Sequence, residues 1–307
     1  MEKSGRLLII GGTGFIGKNL VIHAVQADYK VSVLSLNKPA KNQSIKDVSY
    51  IQADITDVIA LKNKLSDIIF DYVVNLSGYI DHSNFLEGGK QVLDMHFLGV
   101  QNIFQCLDWK QLKRFVQIGS SDEYGNLPAP QHESLRESPI SSYSLGKVAS
   151  TQLLQMLHRT QDLPVVILRL FLVYGVGQDD KRFLPQVIQG CLSNNPFPVS
   201  AGKQLRDFCY IDDISQGILL SLTNDKVNGE IINLASGIPI TIKEVVESVK
   251  SAVGQGKPEF GKVPYRKGEN MSLYADTSKA SDLLDWMPKM ILDEGIKRTV
   301  DHYIKNN

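Results

Sequence analysis

The chain has 307 residues, with 33 Lys and Arg against 33 Asp and Glu, and 43% of its residues are hydrophobic. That length and apolar content suit one large domain or two smaller ones with a buried core, and they exclude a disordered chain. A formal net charge of zero, without a local basic cluster, argues against a nucleic-acid binder. No apolar run is long enough for a membrane span and no cleavable signal precedes the first predicted strand, so we expect a cytoplasmic protein.

The cysteines and histidines do not indicate a disulfide framework or a metal site. The 3 Cys residues are widely spaced and include no CxxC pair. The His residues show no ligand spacing with a Cys, Asp or Glu neighbour. We therefore expect a fold without a structural metal or disulfides.

Short apolar runs alternate with segments of helical spacing through the first half of the chain. The runs are rich in Val, Ile and Leu and mostly lack polar alternation, which is typical of strands buried on both faces of a parallel sheet. They cover residues 6–10, 30–36, 48–52, 71–76, 114–118 and 165–172. Between them, apolar residues at helical spacing predict helices over residues 15–27, 58–65, 91–107 and 141–161. This alternation predicts a doubly wound parallel α/β sheet of the Rossmann type.

The second half of the chain is richer in Pro, Gly and Asn, and its apolar runs are shorter. Helical spacing persists over residues 184–192, 214–222, 242–253 and 277–284. We predict a dinucleotide-binding domain over residues 1–174 and a smaller substrate-binding lobe over residues 175–307. The boundary is approximate, and a chain that crosses between the lobes is compatible with it. We expect the lobe above the carboxyl ends of the strands, where open α/β sheets bind ligands.

The first predicted strand runs directly into a glycine-rich turn at residues 11–17, with the sequence GGTGFIG. Gly11 permits the tight turn, Gly14 lets the backbone approach a pyrophosphate, and Gly17 lets the helix pack closely on the strand. The helix N-terminus then directs N–H groups and its positive dipole end at the anion. This pattern between a strand and an amphipathic helix predicts dinucleotide binding. The predicted contacts in the turn are Gly11, Thr13, Gly14, Phe15, Ile16 and Gly17.

The end of the second predicted strand distinguishes NAD from NADP. An acidic residue about 20 positions after the glycine motif would hold the adenosine ribose hydroxyls of NAD. Ser35 stands at that position, and Asn37, Lys38 and Lys41 follow it. A hydroxyl and ammonium groups suit a 2′-phosphate better than a carboxylate would, so NADP(H) is the favoured cofactor. NAD(H) is the alternative, in which the lysines are solvated loop residues.

A tyrosine and a lysine are the candidate proton-transfer pair. Tyr143 and Lys147 stand at positions i and i+4 of a predicted helix, which puts the phenol and the ammonium on one face. A lysine beside a tyrosine favours the phenolate and eases proton exchange with a substrate hydroxyl or ketone. The fifth predicted strand ends in the serine-rich segment SSDEYG at residues 120–125. A hydroxyl at that strand end is placed to hydrogen-bond the same substrate oxygen.

Together these motifs resemble the extended short-chain dehydrogenase/reductases, in particular the nucleotide-sugar epimerases, dehydratases and 4-ketoreductases. The resemblance extends over nearly the whole chain, and so many ordered motifs at family spacing are highly specific. They include GGTGFIG at 11–17, NLSG at 75–78, SSDEYG at 120–125, YSLGK at 143–147, RLFLVYG at 169–175 and GKQLRDFCYIDD at 202–213. The resemblance implies a nucleotide-diphosphate sugar as substrate and a homodimer formed through the helices around 91–107 and 141–161.

The family's functional residues carry over onto matching positions of this chain. The resemblance implies that Tyr143 is the catalytic acid/base, that Lys147 orients the nicotinamide ribose, and that Ser120 steadies the reacting oxygen. The further cofactor contacts that it implies are Asp54, Ile55, Leu76, Ser77 and Gly78. The implied substrate contacts are Ser121, Asp122, Arg206 and Arg266, with the two arginines on the diphosphate.

The chain also departs from the family pattern. Leu172 stands where many members have an asparagine that contacts the substrate diphosphate, and His96 stands where asparagine is usual. Both departures affect the details of ligand contact and leave the proposed chemistry intact. We interpret Asp81-His82, after the fourth predicted strand, as a solvated loop.

The residues after Ser120 and the cofactor together select the reaction. Dehydratases need two adjacent carboxylic residues immediately after the Ser/Thr, but Ser121 occupies the first of these positions here. An epimerase retains oxidised NAD, whereas a reductase consumes a hydride from exchangeable NADPH, so Ser35 favours reduction. The segment SSDEYG also resembles that of 4-keto-6-deoxy-sugar reductases. We therefore predict NADPH-dependent reduction of a nucleotide-linked 4-keto-6-deoxy sugar, in deoxysugar or O-antigen-type biosynthesis. NAD-dependent 4-epimerisation is the alternative, and 4,6-dehydration or a non-catalytic dinucleotide-binding subunit ranks lower.

Overall fold

The computed structural model describes residues 5–40, 43–265 and 268–306. Its strands are β1 (Arg6–Ile10), β2 (Lys30–Ser35), β3 (Ser49–Gln52), β4 (Tyr72–Asn75), β5 (Arg114–Ser120), β6 (Val165–Leu170), β7 (Leu172–Tyr174), β8 (Pro196–Val199), β9 (Leu205–Tyr210), β10 (Ile231–Leu234), β11 (Pro239–Thr241), β12 (Lys257–Phe260) and β13 (Ser272–Leu273). Its helices are α1 (Phe15–Gln26), α2 (Val58–Leu65), α3 (Gly89–His96), α4 (Leu98–Cys106), α5 (Ser142–Gln161), α6 (Phe183–Ser193), α7 (Ile211–Thr223), α8 (Ile242–Val253), α9 (Ser278–Leu284) and α10 (Leu292–Asn306).

Seven parallel strands of the described residues form the central sheet, in the spatial order β10, β6, β5, β4, β1, β2, β3. Alternate residues of a strand point to opposite faces. Leu7 and Ile9 therefore join a buried cluster with α1 and α7 on one face. Leu8 and Ile10 join a second cluster with α2, α4 and α5 on the other. Because both faces are covered, the strands are apolar throughout, and the predicted doubly wound α/β sheet is confirmed.

The second half of the chain builds smaller sheets from short strands that the sequence did not predict. One sheet contains β11, β9 and β13, with β7 also paired to β9, and a separate parallel pair is formed by β12 and β8. A third apolar cluster, which includes Tyr174, Phe208, Val245 and Ile296, packs α6, α8 and α10 around these strands. The chain also returns to the central sheet, because β10 pairs in parallel with β6. The boundary near residue 175 stays a prediction.

Two helical predictions differ from the structure. The predicted helix over residues 91–107 is divided into α3 and α4 at Phe97, whose backbone angles are φ −104° and ψ −59°. Helix α10 was not predicted, although its apolar residues Ile296 and Val300 are fully buried in the third cluster. Across the described ranges, no helix combines the length and apolarity required to cross a membrane.

Candidate active site

The predicted cofactor loops meet at one edge of the central sheet. Strands β1, β4 and β5 are adjacent and parallel, with Ile10 beside Asn75 and Asn75 beside Gln117. The loops that follow these strands therefore start at the same level, at the carboxyl ends. A backbone hydrogen bond joins two of them, since the N–H of Leu76 donates to the Ile10 carbonyl at 2.9 Å.

The glycine turn is packed too closely against its neighbours for side chains at Gly11 and Gly17. Gly11 has φ +82°, and a Cβ there would lie 3.0 Å from the Leu76 carbonyl oxygen. A Cβ on Gly17 would overlap the Gly11 carbonyl and lie 2.6 Å from the Gly12 Cα. Gly14 caps α1 without a side-chain hydrogen bond. The first-turn N–H groups of α1 are therefore suited to a diphosphate, so the turn fits a dinucleotide. The other predicted contacts in this turn are part-buried: Thr13, Phe15 and Ile16.

Ser35 lies at the end of β2, where the adenosine ribose is expected. Its side chain is buried, and its hydroxyl donates to the Asn37 carbonyl at 2.8 Å. Asn37 and Lys38 are exposed beyond it. Lys41 lies outside the described residues. The serine thus shapes the loop after β2, and the exposed polar residues beyond it form the surface available to a 2′-phosphate or a ribose.

Asp54 and Ile55 follow β3 and are fixed by neighbouring residues. Asp54 Oδ1 accepts hydrogen bonds from the Thr56 N–H at 2.8 Å and the Thr56 hydroxyl at 2.7 Å. Ile55 is buried, and its carbonyl accepts a hydrogen bond from Asn102 of α4 at 2.9 Å. The predicted adenine pocket therefore starts from a rigid turn that α4 supports.

The loop after β4 is held between the glycine turn and α3. Asn75 anchors it, because its Oδ1 accepts hydrogen bonds from the Ser77 N–H at 3.1 Å and the Ser77 hydroxyl at 2.5 Å. Gly78 has φ +103°, and a Cβ there would overlap the His96 imidazole. This loop thus lies between the glycine turn and His96, and the contact of Leu76, Ser77 and Gly78 with a cofactor stays a prediction.

Tyr143 and Lys147 sit in the first turns of α5. The helix begins with a capping box, in which the Ser141 hydroxyl accepts from the Ser144 N–H at 3.1 Å and the Ser144 hydroxyl accepts from the Ser141 N–H at 2.9 Å. The Lys147 ammonium donates to the carbonyl of Ile118, on β5, at 2.8 Å. Both predicted catalytic side chains are buried and face β5, as the i, i+4 spacing predicts.

Burial alters the pKa values of this pair in opposite directions. Burial raises the pKa of Tyr143, and a hydrogen bond with Ser120 opposes that effect. Burial lowers the pKa of the Lys147 ammonium to about 8. A buried phenol beside an ammonium and a hydroxyl is suited to exchange a proton with a bound oxygen. The structure thus brings the predicted Ser120, Tyr143 and Lys147 together.

Two histidines contact the Tyr143 ring edge-on. The His96 ring centroid lies 4.9 Å away, and the His96 Nε2 lies 3.0 Å from the Tyr79 carbonyl. Burial, followed by the charge of Lys147, lowers the pKa of His96 to about 3. The His82 ring centroid lies 5.8 Å from that of Tyr143, and the His82 Nε2 lies 3.6 Å from the Asp122 carboxylate. We interpreted Asp81-His82 as a solvated loop, and the His82 side chain is 44% exposed while its ring contacts Tyr143.

The carboxylates after Ser120 have different environments. Glu123 is fully buried: its Oε1 accepts from the Ser120 N–H at 2.9 Å, and its Oε2 accepts from Arg169 Nη2 at 2.9 Å. Asp122 is partly exposed and faces His82. Ser121, between Ser120 and Asp122, is buried. Of the two carboxylates, Asp122 is therefore the one accessible to solvent.

The residues predicted to hold the substrate diphosphate are less complete. Arg206 donates to the Glu269 carboxylate at 2.5 Å and to the Leu205 carbonyl at 2.8 Å. Arg266 lies outside the described residues. Leu172 is part-buried and packs against the third apolar cluster. The arginine clamp on the diphosphate stays a prediction, and in this structure Glu269 occupies one face of it.

The helices predicted to form a homodimer carry exposed apolar residues. Leu98 of α4 and Leu145 and Met156 of α5 are 38%, 44% and 40% exposed, respectively. Leu154 of α5 is buried in the second cluster. The homodimer stays a prediction.

The chain is similar to nucleotide-sugar enzymes along almost its full length. The family model described as NAD dependent epimerase/dehydratase family matches residues 7–235. A putative UDP-glucose 4-epimerase of Methanocaldococcus jannaschii is 30% identical, with 98% of this chain and 99% of the relative covered. A dTDP-glucose 4,6-dehydratase of Xanthomonas campestris pv. campestris is 29% identical, with 97% and 93% covered. The crystal structure of a dTDP-glucose 4,6-dehydratase from Streptomyces venezuelae, with NAD bound, superposes with a TM-score of 0.87 at 25% identity, covering 98% of this chain and 97% of the other.

Proposed function

The chain belongs to the NAD dependent epimerase/dehydratase family, and from that premise we propose that it reduces a nucleotide-linked 4-keto-6-deoxy sugar with NADPH. The family match confirms the resemblance to the extended short-chain dehydrogenase/reductases of nucleotide-sugar metabolism. Such a reaction would form part of deoxysugar biosynthesis, downstream of an enzyme that creates the 4-keto group.

Hydride chemistry at a sugar carbon is supported by the buried contact between Ser120 and Tyr143, with Lys147 beside them. Two hydroxyls converge at the carboxyl end of β5, and the Lys147 ammonium donates to the Ile118 carbonyl of the same strand. This is the observation that carries the proposal, because a protein that only binds a dinucleotide needs no buried acid/base pair.

Dehydration is disfavoured by the carboxylates. That reaction needs one carboxylic residue to protonate the leaving hydroxyl and a second to take a neighbouring proton. Glu123 accepts hydrogen bonds from the Ser120 N–H and from Arg169 and is fully buried, so it is not available to a substrate. Of these two carboxylates, Asp122 is the one exposed to solvent, and it lies 3.6 Å from His82.

Reduction and epimerisation differ in whether the cofactor leaves the enzyme. Ser35 stands at the end of β2, where a carboxylate would grip the ribose of a retained NAD, and its hydroxyl donates to the Asn37 carbonyl instead. Exposed Asn37 and Lys38 beside it suit the 2′-phosphate of an exchangeable NADPH. These residues support reduction.

The side chains of the site act on the keto oxygen. Reduced nicotinamide supplies a hydride to the keto carbon when it is bound. Ser120 donates a hydrogen bond to the oxygen on which negative charge develops, and Tyr143 transfers its phenolic proton to that oxygen. The Lys147 ammonium stabilises the phenolate that results until solvent restores the proton. The keto group thereby becomes an alcohol, with one hydrogen added as the hydride that NADPH would supply and the other as the proton from Tyr143.

A 4-epimerase is the second candidate, and the similarity to 4-epimerases favours it. The Methanocaldococcus jannaschii relative is a putative 4-epimerase, and the Streptomyces venezuelae structure holds NAD. In that reaction Tyr143, with Ser120 and Lys147, would take the proton of the sugar hydroxyl, bound NAD would accept the hydride, and both would return with the hydride on the opposite face of the sugar carbon.

Identification of the co-purified nucleotide separates the two candidates. Denatured protein is analysed by chromatography and mass spectrometry for released dinucleotide and its stoichiometry. We expect NADP(H), or a site that fills preferentially with NADPH, followed by oxidation of NADPH with 4-keto-6-deoxy sugars on different nucleotides. Near-stoichiometric NAD and no NADPH oxidation would contradict the reductase and favour the 4-epimerase.

Cofactor preference gives a first prediction by mutation. Ser35→Asp places a carboxylate at the end of β2, where it repels a 2′-phosphate and bonds ribose hydroxyls. We expect the ratio of NADPH to NADH affinities, measured by nucleotide fluorescence titration, to fall by about tenfold or more. The control Ser251→Asp adds the same charge at an exposed position of α8 and should leave the ratio unchanged. An unchanged ratio in Ser35→Asp would place the adenosine ribose elsewhere.

A further inference from the structure

We propose that Glu123, bound to Arg169, is a positioning residue that holds Ser120 against α5 and sets a negative charge beside the proton-transfer pair. The role rests on the proposed function, because it concerns proton transfer at Tyr143. It goes beyond that function because Glu123 is fully buried and would not contact a substrate directly.

The Glu123 carboxylate links three elements that carry the site. Its Oε1 accepts from the N–H of Ser120, the last residue of β5, at 2.9 Å. Its Oε2 accepts from the Thr151 hydroxyl at 2.9 Å, and Thr151 lies one turn beyond Lys147 on α5. The same oxygen accepts from Arg169 Nε at 3.1 Å and Nη2 at 2.9 Å, on β6. A displacement of this carboxylate would therefore move Ser120 relative to α5.

The backbone beside Ser120 leaves room for this carboxylate. Gly119 lies opposite Arg169 in the pairing of β5 and β6. A Cβ at Gly119 would come within 2.6 Å of the Glu123 Oε1 and 3.1 Å of the Arg169 Cγ. Gly119 therefore leaves the space that the Glu123–Arg169 ion pair occupies.

Structural stability alone is a weak reason for such a pair. Glu123 and Arg169 are both fully buried, and desolvation of two charges costs several kcal/mol before their attraction offsets it. Well-packed apolar residues of similar volume are often as stable as a buried pair. Arg169 also donates to Glu137 at 2.6 Å, so one guanidinium serves two carboxylates. Of these two carboxylates, Glu123 is the one that contacts β5 and α5, so its negative charge lies beside the catalytic residues.

That charge acts on both members of the proton-transfer pair. Burial lowers the pKa of Lys147, and this is the larger effect. Glu123 raises that pKa and so favours the ammonium. Glu123 and Asp122 also raise the pKa of Tyr143, and Arg182 before α6 lowers it. The remaining ionisable neighbours are His96 of α3 and His82, whose rings contact Tyr143. Glu123 thereby favours the state required for reduction, with Tyr143 protonated and Lys147 charged.

The test compares Glu123→Gln with Glu137→Gln, which removes the other carboxylate of Arg169 but has no hydrogen bond to Ser120. In Glu123→Gln, we expect the loss of NADPH oxidation at high pH to begin about one pH unit lower than in wild type. We expect the pH at which NADPH affinity declines, measured by fluorescence without turnover, to shift in parallel. Glu137→Gln should match wild type within about 0.3 unit in both measurements.

Glu123→Asp keeps the charge but shortens its reach to Ser120, and it serves if Glu123→Gln does not fold. We expect its rate to fall severalfold with an unchanged pH profile. Equal profiles for Glu123→Gln and wild type, or a wild-type rate in Glu123→Asp, would overturn the proposal. If none of the keto sugars supports NADPH oxidation by wild type, the proposed function fails. The pH dependence of NADPH affinity, measured without turnover, then still tests the role of Glu123.

Discussion

Tyr143→Phe should reduce turnover by about 10³-fold, because it removes the one proton donor placed to neutralise the oxygen that receives charge. Phenylalanine keeps the buried ring, including its edge contacts with His96 and His82 at 4.9 Å and 5.8 Å. The phosphate-binding turn at Gly11–Gly17 is distant in sequence and unaffected. Nucleotide affinity should therefore change by about threefold or less.

Steady-state rates with saturating NADPH and fluorescence titration of the nucleotide measure the two effects separately. The matched control is Tyr29→Phe, which removes a hydroxyl from a tyrosine packed edge-on against Tyr72, 5.7 Å away. It should retain wild-type turnover. Turnover of Tyr143→Phe within about tenfold of wild type would assign the proton transfer to another group.

Acid sensitivity through His96 is the second large effect. Burial lowers the pKa of His96 to about 3, against 6.5 for an unperturbed imidazole. Between these values the unfolded chain binds a proton that the folded chain does not, so the free energy of unfolding falls as the pH decreases below 6.5. The loss from this residue reaches about 3 kcal/mol at pH 4.5.

Urea unfolding of wild type and His96→Asn at several pH values between 7 and 4.5 measures this contribution. The substitution also removes packing, so the comparison concerns the slope of unfolding free energy against pH. We expect a shallower slope for His96→Asn. The control His302→Asn removes an exposed imidazole from α10 and should keep the wild-type slope. Equal slopes for wild type and His96→Asn would show that folding does not lower the pKa of His96.

The structure of the glycine turn could be predicted because its signal is local. The strand, glycine turn and helix are consecutive in the chain, and the structure places Gly11 to Gly17 at the start of α1 as expected. Tyr143 and Lys147 were predicted from spacing within one helix. By contrast, no local pattern distinguishes Glu123 from the adjacent Asp122. Its burial depends on Arg169, 46 positions away.

The amino-acid sequence by itself determined the doubly wound sheet, the dinucleotide turn and the face of α5 that carries Tyr143 and Lys147. Each of these follows from periodicity or steric demands within a few residues. Only the tertiary structure decided that β10 rejoins the central sheet, that His82 and His96 flank Tyr143, and that Glu123 is an ion-paired support. These contacts join segments distant in sequence, and their strength depends on burial and distance, which no local pattern specifies.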